Sequence, residues 1–186
     1  MERRVREATE RGATLAIDFR PVSLSRIPAD VQRAVLVSED AAFYGHRGFD
    51  WFELRAAISE AWKKQESPRG ASTITQQLAR NIYLSPERSL FRKLREALIA
   101  RRLEGHLSKQ RILELYLNVV ELGPGIFGLE AGSRRYFNVS ITDVSRLQAA
   151  RLAATIPSPL RHNPRTDTSQ YQWRTRLIYQ RAFGPS

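Results

Sequence analysis

The chain has 186 residues, 42% hydrophobic and 26% charged, enough for one domain with a real core and unlike a disordered polymer. Its 30 Lys and Arg stand against 19 Asp and Glu, a formal net charge of +11; that field favours a polyanion, an anionic bilayer or a phosphorylated substrate without choosing among them. The absence of cysteine excludes disulfides, thiolate catalysis and cysteine-ligated zinc, and no run approaches the roughly 18 apolar residues of a spanning helix.

The first residues, Met1 to Gly12, are charged and lack the apolar centre of a signal peptide, so the chain is read as soluble or as having lost an upstream anchor. Leu15, Ile17 and Phe19 alternate with polar or small residues and read as one short strand ended by Pro21. Almost everything after it reads as helix. Pro28 opens a segment with Val31, Ala34 and Val35 on one face. Trp51, Leu54, Ile58 and Trp62 form a stripe at helical spacing, followed by Lys63 and Lys64; core packing and an interfacial helix both fit it. Thr73 with Gln76 fits a capping box, and Ser85 before Pro86 fits a cap and first-turn proline. The next helix is expected to bury Leu90, Leu94, Ala97 and Leu98. Another starts at Ser108 with Ile112, Leu113, Tyr116 and Leu117 inward. Gly123-Pro124-Gly125 breaks the chain. Val144, Leu147 and Ala154 mark a further helix stopped by Pro157 and Pro159, and Ser169 with Gln172 is expected to cap the last. The fold is therefore mainly α, one domain over 1–186 with a minor N-terminal strand or hairpin. Gln65 to Gly70 is the expected mobile connection.

Two stretches, Glu39 to Asp50 and Gly70 to Asn81, concentrate acids, amides and hydroxyls that a packed core does not need. If the helix through Glu39 continues, Phe43 and His46 follow on its face, and an apolar ring beside a carboxylate raises its proton affinity toward that of a general base. Asp40 points about 100° away. The competing reading is a solvated helix end. Three histidines at no ligand spacing argue against a histidine-based metal site, and His46 reads as a hydrogen-bonded residue closing the turn at Gly45 and Gly48. Between Pro86 and Arg111 eight Arg or Lys surround three Glu. There Glu96 sits among Arg88, Arg92, Lys93 and Arg95, which suits either a surface helix laced by ion pairs or an anion cradle. Ser72, Thr73, Thr75, Gln76 and Gln77 supply donors and acceptors at a helix start, a place that attracts anions.

The ordered motifs Glu39-Asp-x-x-Phe43-x-x-His46-x-Gly48-x-Asp50, Gly70-x-Ser72-Thr73-Ile74-Thr75-Gln76-Gln77, Arg92-Lys93-x-x-Glu96 and Arg111-Ile-Leu-Glu114-x-Tyr116-Leu-Asn118 resemble those of the peptidoglycan glycosyltransferases, glycosyltransferase family 51. The run from Gly125 to Ala131, Tyr136-Phe137, and Leu152 to Pro159 continue the likeness, which covers Pro28 to Asn163. The ending soon after Arg181, with no transpeptidase domain following, is similar to the monofunctional members.

The resemblance implies a lysozyme-like α fold and an enzyme that polymerises lipid II into β-1,4-linked glycan strands with release of undecaprenyl pyrophosphate. It implies that Glu39 is the general base and Glu96 a second essential acid, and that Gln76, Gln77, Arg80, Arg88 and Lys93 line the donor site. Asp40, Phe43, His46, Ser72, Thr73, Asn81 and Glu114 belong to the same substrate-binding set. Family members usually carry Lys at the position of Arg80, so the charge is kept and the fork geometry is not. Glu96 either holds a divalent cation, Mg or Mn, against the pyrophosphate or orients the arginines; no organic cofactor is implied. The implied partners are lipid II, the nascent glycan strand and an anionic membrane surface at the periplasmic face of the bacterial inner membrane. The segment 51–90 is then a membrane-facing subregion, and the upstream anchor helix usual in the family is absent from this chain. A lysozyme-like glycan hydrolase or lytic transglycosylase is the alternative. A nucleic-acid-binding role rests on charge alone, without a helix-turn-helix or aromatic platform.

Overall fold

The computed structural model describes residues 14–48, 72–83 and 90–185, together with residues 1, 5, 9, 10 and 12. It is mainly α with a small sheet, as the sequence leads one to expect. In chain order the elements are β1 (Asp18–Phe19), α1 (Ala29–Glu39), α2 (Ile74–Tyr83), α3 (Leu90–His106), α4 (Lys109–Val119), β2 (Glu121–Gly123), β3 (Ile126–Phe127), α5 (Leu129–Phe137), α6 (Arg146–Thr155) and α7 (Ser169–Phe183). They form two compact units, one of Met1–Ser38 with Leu117–Ser186 and one of Glu39–Tyr116.

In the first unit β3 lies between the other strands, parallel to β1 and antiparallel to β2. The expected strand over Leu15, Ile17 and Phe19 is shorter in fact, and Phe19 faces solvent. Gly125 makes the β2–β3 turn at φ +72°, and a Cβ there would stand 2.3 Å from the Ala16 carbonyl oxygen, so only glycine fits. Asn118 clips the N-terminal segment in place, its amide donating to Val22 O at 2.8 Å and its carbonyl accepting Val22 N–H at 2.8 Å. Buried Glu130 on α5 accepts Ile141 N–H at 2.7 Å and Arg134 Nε at 2.5 Å. Burial alone pushes its proton affinity up, but these donors outweigh it and hold the carboxyl below its usual range. Ala149, Ala150, Ala153 and Ala154 are buried on α6, small enough for α7 to pack closely against it. Leu147 lies on α6 as expected and is exposed. Ser145 and Gln148 form a capping box. On α7 the cap is Thr168 rather than Ser169, and Gln172 instead bonds Asp167.

The second unit is built on α2, α3 and most of α4. Thr73 and Gln76 form the expected capping box: Thr73 N–H meets Gln76 Oε1 at 3.2 Å, and Gln76 N–H meets Thr73 Oγ1 at 3.3 Å. Every residue of α2 from Ile74 to Ala79 is buried. Ile112, Leu113 and Tyr116 point inward as the heptad-like spacing requires. Phe43 is wholly buried in a short 3-10 turn, with Lys109 Nζ 4.2 Å above its ring. Lys109 also donates to Glu104 Oε1 at 2.7 Å, where Thr75 Oγ1 donates at 2.5 Å, so one half-buried pair pins α2, α3 and α4 together.

Two expectations fail in this unit. The helix through Glu39 does not run on to Phe43 and His46: α1 stops at Glu39 and the chain turns at Asp40. And α3 buries the face opposite to the one expected. Leu94 and Leu98 are 57% and 56% exposed and Phe91 is 65% exposed, Ala97 is half-buried, and Glu96 and Ala100 lie inside. The Trp51, Leu54, Ile58 and Trp62 stripe, the Ser85-Pro86 cap, Arg88, Asp50, Gly70 and the side chain of Leu90 lie outside the described residues.

Candidate active site

The turn that ends α1 decides what its two acids do. Asp40 is not a solvated helix end: its side chain is 3% exposed. Oδ2 accepts the N–H of Ile74, the first residue of α2, at 2.9 Å, and Oδ1 meets His46 Nε2 at 2.9 Å. A carboxylate is thus anchored at a helix N-terminus, where free N–H groups and the helix dipole favour it. Thr73 Oγ1 closes the same corner by donating to Gly48 O at 2.8 Å. His46 is the hydrogen-bonded turn residue that its spacing suggests, with its ring edge-on to Phe43.

With Asp40 fixed, Glu39 is half-buried beside α2. Gln77 Nε2 donates to Glu39 Oε2 at 3.2 Å and to Ser72 O at 3.3 Å, while Gln77 Oε1 accepts the Tyr116 hydroxyl at 2.9 Å. From Ser72 the path continues: its Oγ accepts Lys93 Nζ at 2.9 Å, and Lys93 Nζ donates to Glu96 Oε1 at 2.5 Å. Glu96 Oε2 takes Arg92 Nη1 at 2.8 Å, and the Glu96 side chain is 1% exposed. Glu39 and Glu96 therefore belong to one hydrogen-bonded path, Glu39–Gln77–Ser72–Lys93–Glu96, within one compact unit. Lys93 is about half exposed, so the path passes through an ammonium open to solvent before it ends at buried Glu96. One buried carboxylate faces two cations, and this trio keeps a positive charge.

Gln76 spends its carbonyl oxygen on the capping box. Arg80 and Asn81 follow Gln76 and Gln77 one turn later on α2, half-buried and exposed respectively, and so extend that face. Glu114 pairs with Arg111 on its own helix. Arg95 leaves the Glu96 cluster and stacks on Phe91, 4.7 Å from the ring centroid. Among the described residues no group of three or more His, Asp or Glu is arranged to hold a metal. Both Glu96 oxygens engage cations of the protein, Arg92 and Lys93. Periodicity marked Tyr116 only as core; the usable signal is that a buried tyrosine hydroxyl must find a partner.

The transglycosylase family profile matches residues 9–183. The chain is 43% identical over 183 residues to the biosynthetic peptidoglycan transglycosylase of Aromatoleum aromaticum, covering 96% of this chain and 80% of that protein. It is 41% identical to the protein of the same name from Nitrosospira multiformis (97% and 79% covered), and 38% identical to that from Neisseria meningitidis serogroup C (97% and 78%). The chain belongs to the transglycosylase family.

Proposed function

We propose that this chain is a peptidoglycan glycosyltransferase that polymerises lipid II into β-1,4-linked glycan strands and releases undecaprenyl pyrophosphate. The observation that carries the reading is the polar path joining Glu39 to Glu96, together with the names of the relatives. As a carboxylate, Glu39 takes the proton of the acceptor 4-hydroxyl as that oxygen attacks the anomeric carbon of the growing chain. The bond to the lipid pyrophosphate breaks on the opposite face, which turns an α-linked donor into a β-linked product. The leaving pyrophosphate needs charge stabilisation rather than a strong acid, and Lys93, Arg92 and Arg80 are the described cations suited to supply it. Glu96 orients Arg92 and Lys93. A lytic enzyme has no use for such cations.

No helix among the described residues is long and apolar enough to cross a membrane. Phe91, Leu94 and Leu98 are exposed on α3, where Arg95, Arg101 and Arg102 are exposed as well, and Ile82 and Tyr83 are exposed at the end of α2. That combination suits docking on an anionic bilayer, at the outer face of the inner membrane, where a lipid-linked substrate is met.

The test uses two substrates. Purified protein given lipid II is expected to make a muramidase-sensitive polymer, and given finished cell wall to release no soluble fragments. Fragments from wall without polymer from lipid II would reverse the assignment.

A further inference from the structure

Tyr116 has no part in the transfer as described, yet its hydroxyl touches the residue that touches Glu39. The two ends of the Gln77 amide differ: the nitrogen only donates and the oxygen only accepts. The Ser72 carbonyl, 3.3 Å away, can only accept, and so can the ionised Glu39 carboxylate at 3.2 Å. The nitrogen must face both, which leaves Oε1 facing Tyr116 Oη at 2.9 Å and makes the hydroxyl the donor. Reversing the amide would set its oxygen against two acceptors and leave the hydroxyl facing an NH2 group. Both Tyr116 and Gln77 are buried, so the hydroxyl carries the duty that bulk water performs at a surface.

We infer that Tyr116 is a positioning residue for glycosyl transfer: acting through Gln77, it holds a hydrogen-bond donor against Glu39 and keeps that carboxylate in its proton-accepting form. This rests on the reading of Glu39 as the base. The other ionisable groups along the path are Asp40 and His46 in the turn after α1, and Arg92, Lys93 and Glu96 on α3; the substitutions below leave them in place.

Tyr116→Phe removes one hydroxyl and keeps the ring. In lipid II polymerisation it is expected to lower kcat about two- to tenfold with KM unchanged. The acid limb of the pH–rate profile is expected to rise by about half a pH unit to one unit, because a carboxylate with a weaker donor binds its proton more tightly. In a Gln77→Met background the bond from Tyr116 to the Gln77 amide is already gone, and adding Tyr116→Phe is expected to change neither quantity. Leu113→Ala, buried on the same helix, should lower the Tm and leave the acid limb in place. If Tyr116→Phe folds poorly, 3,5-difluorotyrosine at position 116 keeps the hydroxyl, sharpens it as a donor, and is expected to move the limb the other way. An unmoved acid limb in a folded Tyr116→Phe protein, or an equal shift in the Gln77→Met background, would overturn the inference. Polymer formation by Glu39→Gln would instead remove the base reading itself.

Discussion

Glu96 is the residue whose environment says most about its work. A carboxylate buried to this degree is tolerated because Arg92 and Lys93 hold both its oxygens. Its neighbours are consequently held in place, and under the proposed mechanism that makes two flexible cations a preorganised pair for a developing pyrophosphate charge. Glu96→Asp keeps the charge but shortens the reach. It is expected to cut kcat about tenfold or more. The concentration of divalent ion giving half-maximal rate should stay the same, because Glu96 acts on cations of the protein. Titrating Mg against rate in both proteins checks this; a clearly higher requirement in the variant would make Glu96 a metal ligand after all. Asp40 teaches the neighbouring lesson. An acidic pair at a helix end is ordinarily solvated, and nothing in Glu39-Asp40 announces that the second acid caps a helix 34 residues further on.

At the scale of elements, α3 carries the lesson about amphipathic pattern. Leu94 and Leu98 share a face with Phe91, and the sequence gives that stripe as the buried one; the helix turns it outward and buries Glu96 and Ala100. Periodicity states that two faces differ and is silent on which one meets the protein when the other meets something apolar. The outward stripe leads to a test. Leu94→Ser with Leu98→Ser is expected to weaken binding to phosphatidylglycerol-containing vesicles severalfold while moving the Tm by only a degree or two, as for surface positions. A large fall in Tm, or undiminished vesicle binding, would count against membrane docking by this face. Short-range signals fared better. The capping boxes at Thr73–Gln76 and Ser145–Gln148 and the inward face of α4 depend on neighbours a few residues away, and Thr73–Gln76 and the α4 face were legible directly. The end of α1 was not, because Ala41 and Ala42 are good helix formers and the helix is stopped by what Asp40 binds elsewhere.

For the whole molecule, the order of motifs carried more than any single one. Four ordered motifs and the three runs that continue them carry the resemblance over Pro28–Asn163, and the family profile extends the match to residues 9–183. Spacing brought out the residues; it did not reveal that Gln77, Ser72 and Lys93 connect the two acids, since that path is closed by tertiary contacts between α2, α3 and the end of α1. The net charge of +11 is consistent with a substrate that carries a pyrophosphate and with a surface that carries anionic lipid, and by itself distinguishes neither.

All of this turns on the carboxylate at position 39, and Glu39→Gln changes its charge while keeping its shape and its place beside Gln77. The decisive measurement is glycan polymer formed from lipid II by that variant, alongside a Tm matching the wild type. If Glu39 is the base, the variant folds normally and makes no polymer; polymer at a substantial fraction of the wild-type rate would contradict that role.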